Sequence, residues 1–85
     1  MKTKEQKLPK WFDGQIYNEG STVKNPFSEQ EYELNNIELS MYDFILGANM
    51  LAEIGMLAPK KQTDMRKGLT WFRINNPEAY IVLLD

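Results

Sequence analysis

Residues 40–57 read SMYDFILGANMLAEIGML, and the way this run is covered decides the fold. Ser40 has the chemistry of a helix N-cap, and Asp43 stands three residues later, where a capping box usually carries Glu. Leu39 and Phe44 flank that cap at the spacing of a hydrophobic staple. At about 100° per residue, Met41, Phe44, Ile45, Ala48, Leu51, Ala52 and Met56 form one apolar face. Tyr42, Leu46, Met50, Ile54 and Leu57 form a second, nearly opposite, and only Asp43, Asn49 and Glu53 interrupt them. A helix apolar almost all round has to be covered on both sides.

One cover is expected from the protein's own strands and helices. The second face, Tyr42, Leu46, Met50, Ile54 and Leu57, is the candidate interface, and in so short a chain a second copy is the simplest partner for it, so a homo-oligomer, in the first instance a dimer, is expected. The alternative is a plain core helix whose Gly47, Ala48, Ala52 and Gly55 fit bulky neighbours. A membrane span is not expected, because the run carries two carboxylates and two glycines and barely reaches the ~20 apolar residues a bilayer requires.

Upstream, residues 1–10 hold four lysines against one glutamate and read as a flexible basic arm, leaving residues 11–85 as a single domain. Asp13-Gly14 and Asn18-Glu19-Gly20 are turn signals around a short strand at residues 15–17, and residues 21–24 form a second strand ended by Asn25-Pro26. Residues 31–34, EYEL, alternate with period two, which points Tyr32 and Leu34 inward and Glu31 and Glu33 to solvent. These strands make a short antiparallel meander. Downstream, Pro59 ends the central helix, and Thr63 caps a second helix with Met65, Leu69 and Phe72 on one face and Gly68 beside them. Asn76-Pro77-Glu78 repeats the start pattern and opens a third short helix, although residues 80–84, YIVLL, also read as a strand closing the sheet. The expected fold class is α+β: a short N-terminal antiparallel β-meander, then two or three helices around a central apolar helix.

The inventory is as informative as the pattern. The chain has no cysteine and no histidine, which removes disulfides, thiolate chemistry, the usual acid–base group near neutral pH and the commonest transition-metal ligand. No Gly-rich phosphate loop, Walker lysine or nucleophile elbow is present. A non-enzymatic role without a cofactor is expected. The charged N-terminal residues lack the apolar core of a signal peptide, which suggests a cytoplasmic protein.

Net charge is -2, with acidic and basic blocks kept apart: Lys24 is the single base in residues 11–59, whereas residues 60–73 carry five bases against Asp64. Such blocks satisfy one another within the fold or across two copies, or they steer a partner. Lys60, Lys61, Arg66, Lys67 and Arg73 form a candidate basic surface for nucleic acid. Lys7 and Lys10 beside Trp11, Phe12 and Tyr17 suit base stacking, against the simpler reading that the rings pack on the central helix. Glu29, Glu31 and Glu33 lack the loop spacing of a calcium site and read as a solvated face, so no metal is expected.

Pro9-Lys10-Trp11-Phe12, Asn25-Pro26-Phe27-Ser28, Glu38-Leu39-Ser40-Met41-Tyr42-Asp43, Trp71-Phe72-Arg73 and Asn75-Asn76-Pro77-Glu78-Ala79-Tyr80 carry a resemblance along nearly the whole length. In these segments the chain resembles a group of small proteins of unassigned activity encoded by tailed phages of marine cyanobacteria. The resemblance implies an origin and an infected host cytoplasm, and transfers no functional residue. The expected function is that of a self-associating interaction module that binds a host or viral protein. A nucleic-acid-associated accessory factor and a minor virion component are the alternatives.

Overall fold

Asn35 caps the central helix. In the computed structural model, which describes residues 6–84, α1 spans Asn36–Glu53. The Asn35 side chain accepts the Glu38 N–H at 2.8 Å while the Glu38 carboxyl accepts the Asn35 N–H at 3.0 Å, a reciprocal capping box. The start expected at Ser40 is therefore one turn late. Ser40 is buried inside the helix, where its hydroxyl donates to the Asn36 carbonyl at 2.8 Å and accepts the Tyr17 N–H at 2.9 Å. The far end also differs, since α1 stops at Glu53 and does not reach residue 57. Gly55 takes φ 76°, and the Gly55 and Met56 N–H groups close on the Ala52 and Leu51 carbonyls at 3.1 and 2.8 Å. That is a Schellman stop, which needs a residue at ease in the left-handed region.

Ahead of α1, strands β1 (Ser21–Lys24) and β2 (Glu31–Leu34) pair antiparallel with Ser21 opposite Leu34 and Lys24 opposite Glu31. Leu34 is buried, Tyr32 is half-buried and both glutamates are exposed, as the period-two pattern requires. Among the described residues the sheet has two strands. The third expected at residues 15–17 does not join it, because the Tyr17 N–H is taken by Ser40 and its carbonyl accepts from Asn36 Nδ2 at 3.4 Å.

Helix α2 covers Pro59–Asn75. Its start lies one turn before the expected cap at Thr63, because Pro59 supplies a pre-set first turn. Thr63 instead donates its hydroxyl to the Pro59 carbonyl. Helix α3 (Pro77–Ala79) is capped by the Asn76 side chain and runs on into a π-helical turn, Tyr80–Leu84, so the final apolar run is helical and not a strand. The α+β class stands.

The helices meet through their small residues. A Cβ on Gly68 would lie 3.1 Å from both Met41 Sδ and Ile45 Cγ1, which shows how closely α2 approaches α1. Around that contact Leu34, Met41, Tyr42, Ile45, Trp71, Phe72, Ala79 and Leu83 form the buried core.

A polar knot closes the same end of the molecule. The fully buried Glu38 carboxyl accepts from Asn76 Nδ2 at 2.8 Å and from Gln6 Nε2 at 2.9 Å. Asn76 Oδ1 accepts from the Ala79 N–H at 3.2 Å, and the single Tyr32 hydroxyl proton goes to Glu78 at 2.7 Å, with Asn76 Oδ1 3.4 Å from the same oxygen. Burying so many polar groups is tolerable because they satisfy one another. Of the expected basic arm, residues 1–5 lie outside the described residues. Gln6 is part of this knot, the Lys7 carbonyl accepts from Trp71 Nε1 at 3.0 Å and Leu8 packs on the core, so these residues rest on the body of the domain. No helix among the described residues is long and apolar enough to cross a membrane.

Candidate interaction surface

The body covers only the first half of α1. Met41, Tyr42, Ile45 and Ala48 are buried, whereas every residue from Asn49 to Met56 is exposed. This follows from the lengths involved: β2 packs near the start of α1, the C-terminal turn packs on β2 and α2, and α2 runs back antiparallel to α1. Among the described residues the far end beyond Ala48 is left exposed. Met50 and Ile54 are each 66% exposed and Met56 is 71% exposed, with Leu51 beside them. Leaving a large aliphatic side chain in water forgoes about 1.5–3 kcal/mol relative to full burial, so four on adjacent turns form a surface with a strong tendency to be covered.

The expected interface is divided by this arrangement. Met50 and Ile54 stand open and Leu46 is half-buried, but Tyr42 and Leu57 belong to the monomer's own interior. Tyr42 is drawn in because it precedes the point where cover runs out, and burial pushes its phenol above the ordinary value. Leu57 is buried after the Gly55 turn. Leu51 and Met56, assigned from the sequence to the covered face, are open for the same reason that Met50 and Ile54 are. Gly47 lies within the open strip, and a Cβ placed there would meet nothing within 4 Å. A glycine inside an exposed helix costs about 1 kcal/mol relative to alanine, and no contact among the described residues explains it.

The candidate basic surface is likewise split. Lys60 bridges to the buried Asp64 at 2.9 Å, and that carboxylate raises the Lys60 pKa. Lys61 bonds to Asp13 and sits 5.5 Å above the Phe44 ring, holding the Asp13 carboxyl below its ordinary value. Arg73 lies 5.4 Å over the Tyr80 ring and donates to Thr70 at 3.4 Å. Arg66 and Lys67 are exposed, and the ion pairs of the described residues leave them without a carboxylate. Trp11 and Phe12 pack on Phe44 at centroid distances of 5.9 and 5.4 Å, which is the core role expected of them and not a stacking platform. Among the described residues no group of acidic side chains is placed to hold a metal ion.

No family model, curated protein or solved structure matches this chain. The surface is therefore read from its own geometry. Sequence patterning found its centre at Met50 and Ile54. It missed a second exposed apolar feature, the β1–β2 loop, where Phe27 is 94% exposed. Asn25 Oδ1 accepts the Phe27 and Ser28 N–H groups at 2.8 and 3.3 Å, and its Nδ2 donates to the Val82 carbonyl at 2.9 Å. The Asn-Pro signal was visible as a turn, but only the fold shows that Phe27 is left exposed.

Proposed function

We propose that this chain is a non-enzymatic interaction module of a phage, acting in the host cytoplasm, that self-associates and binds a host or viral protein. The observation that supports this reading is the exposed end of α1, where Met50, Leu51, Ile54 and Met56 share one short stretch. Sedimentation equilibrium tests it. The wild-type chain of 9.9 kDa is expected to run as a multiple of that mass, and Ile54→Glu to return it to a single chain with unchanged circular dichroism, because the side chain lies outside the monomer core. A wild-type protein that remains a single chain at high micromolar concentration would remove the self-association.

Exposed Arg66 and Lys67 favour the alternative, a nucleic-acid-associated accessory factor. Phosphate contacts make affinity fall steeply with salt. Binding to single- or double-stranded DNA that weakens along such a slope, and is lost in Arg66→Gln with Lys67→Gln, would replace the first reading.

A further inference from the structure

Gln6 is held the way a ligand is held. Its side-chain nitrogen donates to Glu38 Oε2 at 2.9 Å and to the Asn75 carbonyl at 3.3 Å, and its oxygen accepts from Asn35 Nδ2 at 2.9 Å. Both amide protons and the amide oxygen thus have partners, drawn from the β2–α1 junction, the first turn of α1 and the last residue of α2. One residue on, the Lys7 carbonyl accepts from Trp71 Nε1 at 3.0 Å. Lys7 itself is exposed, and Leu8 is half-buried against the core. The segment is therefore gripped at three successive points: a carboxamide, a backbone carbonyl and an apolar side chain.

Two acceptors beside one donor select a carboxamide. A glutamate there would set its oxygens against two groups that are already acting as acceptors, and a lysine would leave Asn35 Nδ2 facing a second donor. Asparagine is one methylene shorter. The grip is also separable from the rest of the fold. Among the described residues no backbone–backbone hydrogen bond ties residues 6–8 to the body. The chain is pinned only further on, where the Phe12 N–H closes a turn on the Pro9 carbonyl at 3.1 Å and the Trp11 and Phe12 rings pack on Phe44. When Gln6 leaves, the Glu38 carboxyl retains the Asn35 N–H and Asn76 Nδ2, so the site keeps its shape without its occupant.

We propose that Asn35, Glu38, the Asn75 carbonyl and Trp71 Nε1 form a recognition site for an extended Gln-x-apolar peptide segment, which residues 6–8 occupy in cis as a tethered ligand. A glutamine-bearing segment of a partner protein then competes with a covalently linked rival, whose high effective concentration sets the threshold for exchange. This site lies at the opposite end of α1 from the exposed strip and does not require self-association.

Gln6→Ala in the full chain frees the site. The Trp71 indole N–H, followed by proton NMR, is expected to exchange with solvent about ten- to a hundredfold faster, with little change in the urea midpoint. Added at millimolar concentration to Gln6→Ala, the peptide acetyl-Gln-Lys-Leu-amide shifts that resonance saturably and slows its exchange, whereas acetyl-Glu-Lys-Leu-amide does neither. An equal response to both peptides, or to neither, overturns the recognition site. The wild-type chain decides the tethered occupancy without any variant. Release of residues 6–8 alone makes Trp71 indole exchange insensitive to low urea and to protein concentration. Exchange that steepens with urea as global unfolding does, or that changes with protein concentration, overturns it.

Discussion

Asn76→Ala is the substitution expected to damage this fold most for its size. Asn76 is buried, and one amide does two jobs: its nitrogen donates to Glu38 at 2.8 Å and its oxygen accepts the Ala79 N–H at 3.2 Å as the cap of α3. A hydrogen bond to an ionisable group contributes about 1.5–3 kcal/mol, and loss of a cap costs about 1 kcal/mol. Together they predict a loss of about 3 kcal/mol, out of the 5–15 kcal/mol roughly available to a domain. In urea this lowers the unfolding midpoint by about 2–3 M, taking a slope near the low end of the range for small proteins.

Asn76→Asp gives the sharper control. It keeps the capping oxygen but sets a second carboxyl against Glu38. Two such groups at hydrogen-bond distance resist ionising together, which raises their folded-state pKa above the unfolded one. Stability is then recovered as the pH falls and lost as it rises, so the deficit of Asn76→Asp shrinks between pH 7 and about pH 4–5. Asn76→Ala lacks that recovery. A cost below about 1 kcal/mol for Asn76→Ala, or a pH-independent deficit for Asn76→Asp, refutes the role given to the knot.

Gly20→Ala is expected to cost at least about 3 kcal/mol, since its Cβ would lie 2.1 Å from the Leu34 backbone carbonyl and only a shift of the β2–α1 junction relieves it; near-wild-type thermal stability would show that the junction yields easily. The phenols of Tyr17, Tyr32 and Tyr42 are raised above their ordinary value of 10.0, by burial first, with Asp43 acting on Tyr17 and Glu78 on Tyr32. The fold therefore favours their neutral forms, a contribution present below about pH 10 and lost as the pH climbs through the raised values. Phenolate absorbance should develop together with alkaline unfolding, and full ionisation near pH 10 in a still-folded protein would contradict it.

The class of the fold, the three helices and the inward side of β2 were readable because each rests on local grammar: period two in residues 31–34, a cap at Asn76, a proline that starts or stops a helix. The starts of α1 and α2 were misplaced by one turn each, for related reasons. Two overlapping capping boxes compete at the head of α1. Asn35 with Glu38 prevails because Glu reaches its cap and Ser40 is needed for Tyr17, a contact between residues 23 apart in sequence. The expected strand at residues 15–17 failed on the same bond. The open strip of α1 was half readable. Periodicity shows that a helix has two apolar faces, but where cover ends depends on how far α2 and the C-terminal turn extend, and that placed Leu51 and Met56 outside and Tyr42 and Leu57 inside.

Asn25 gives the hairpin a mechanical property. Its oxygen shapes the tip that presents Phe27, and its nitrogen grips the Val82 carbonyl in the C-terminal turn. The tip is thus tied to the last turn through one amide, beside the packing of β2 on that turn. Load applied at Phe27 passes first to Val82 and then, through Leu83, to the core, while β1 and β2 carry the remainder along their ladder. Whatever grips the loop therefore pulls on the last turn of the described chain, so the hairpin and the C-terminal turn yield together.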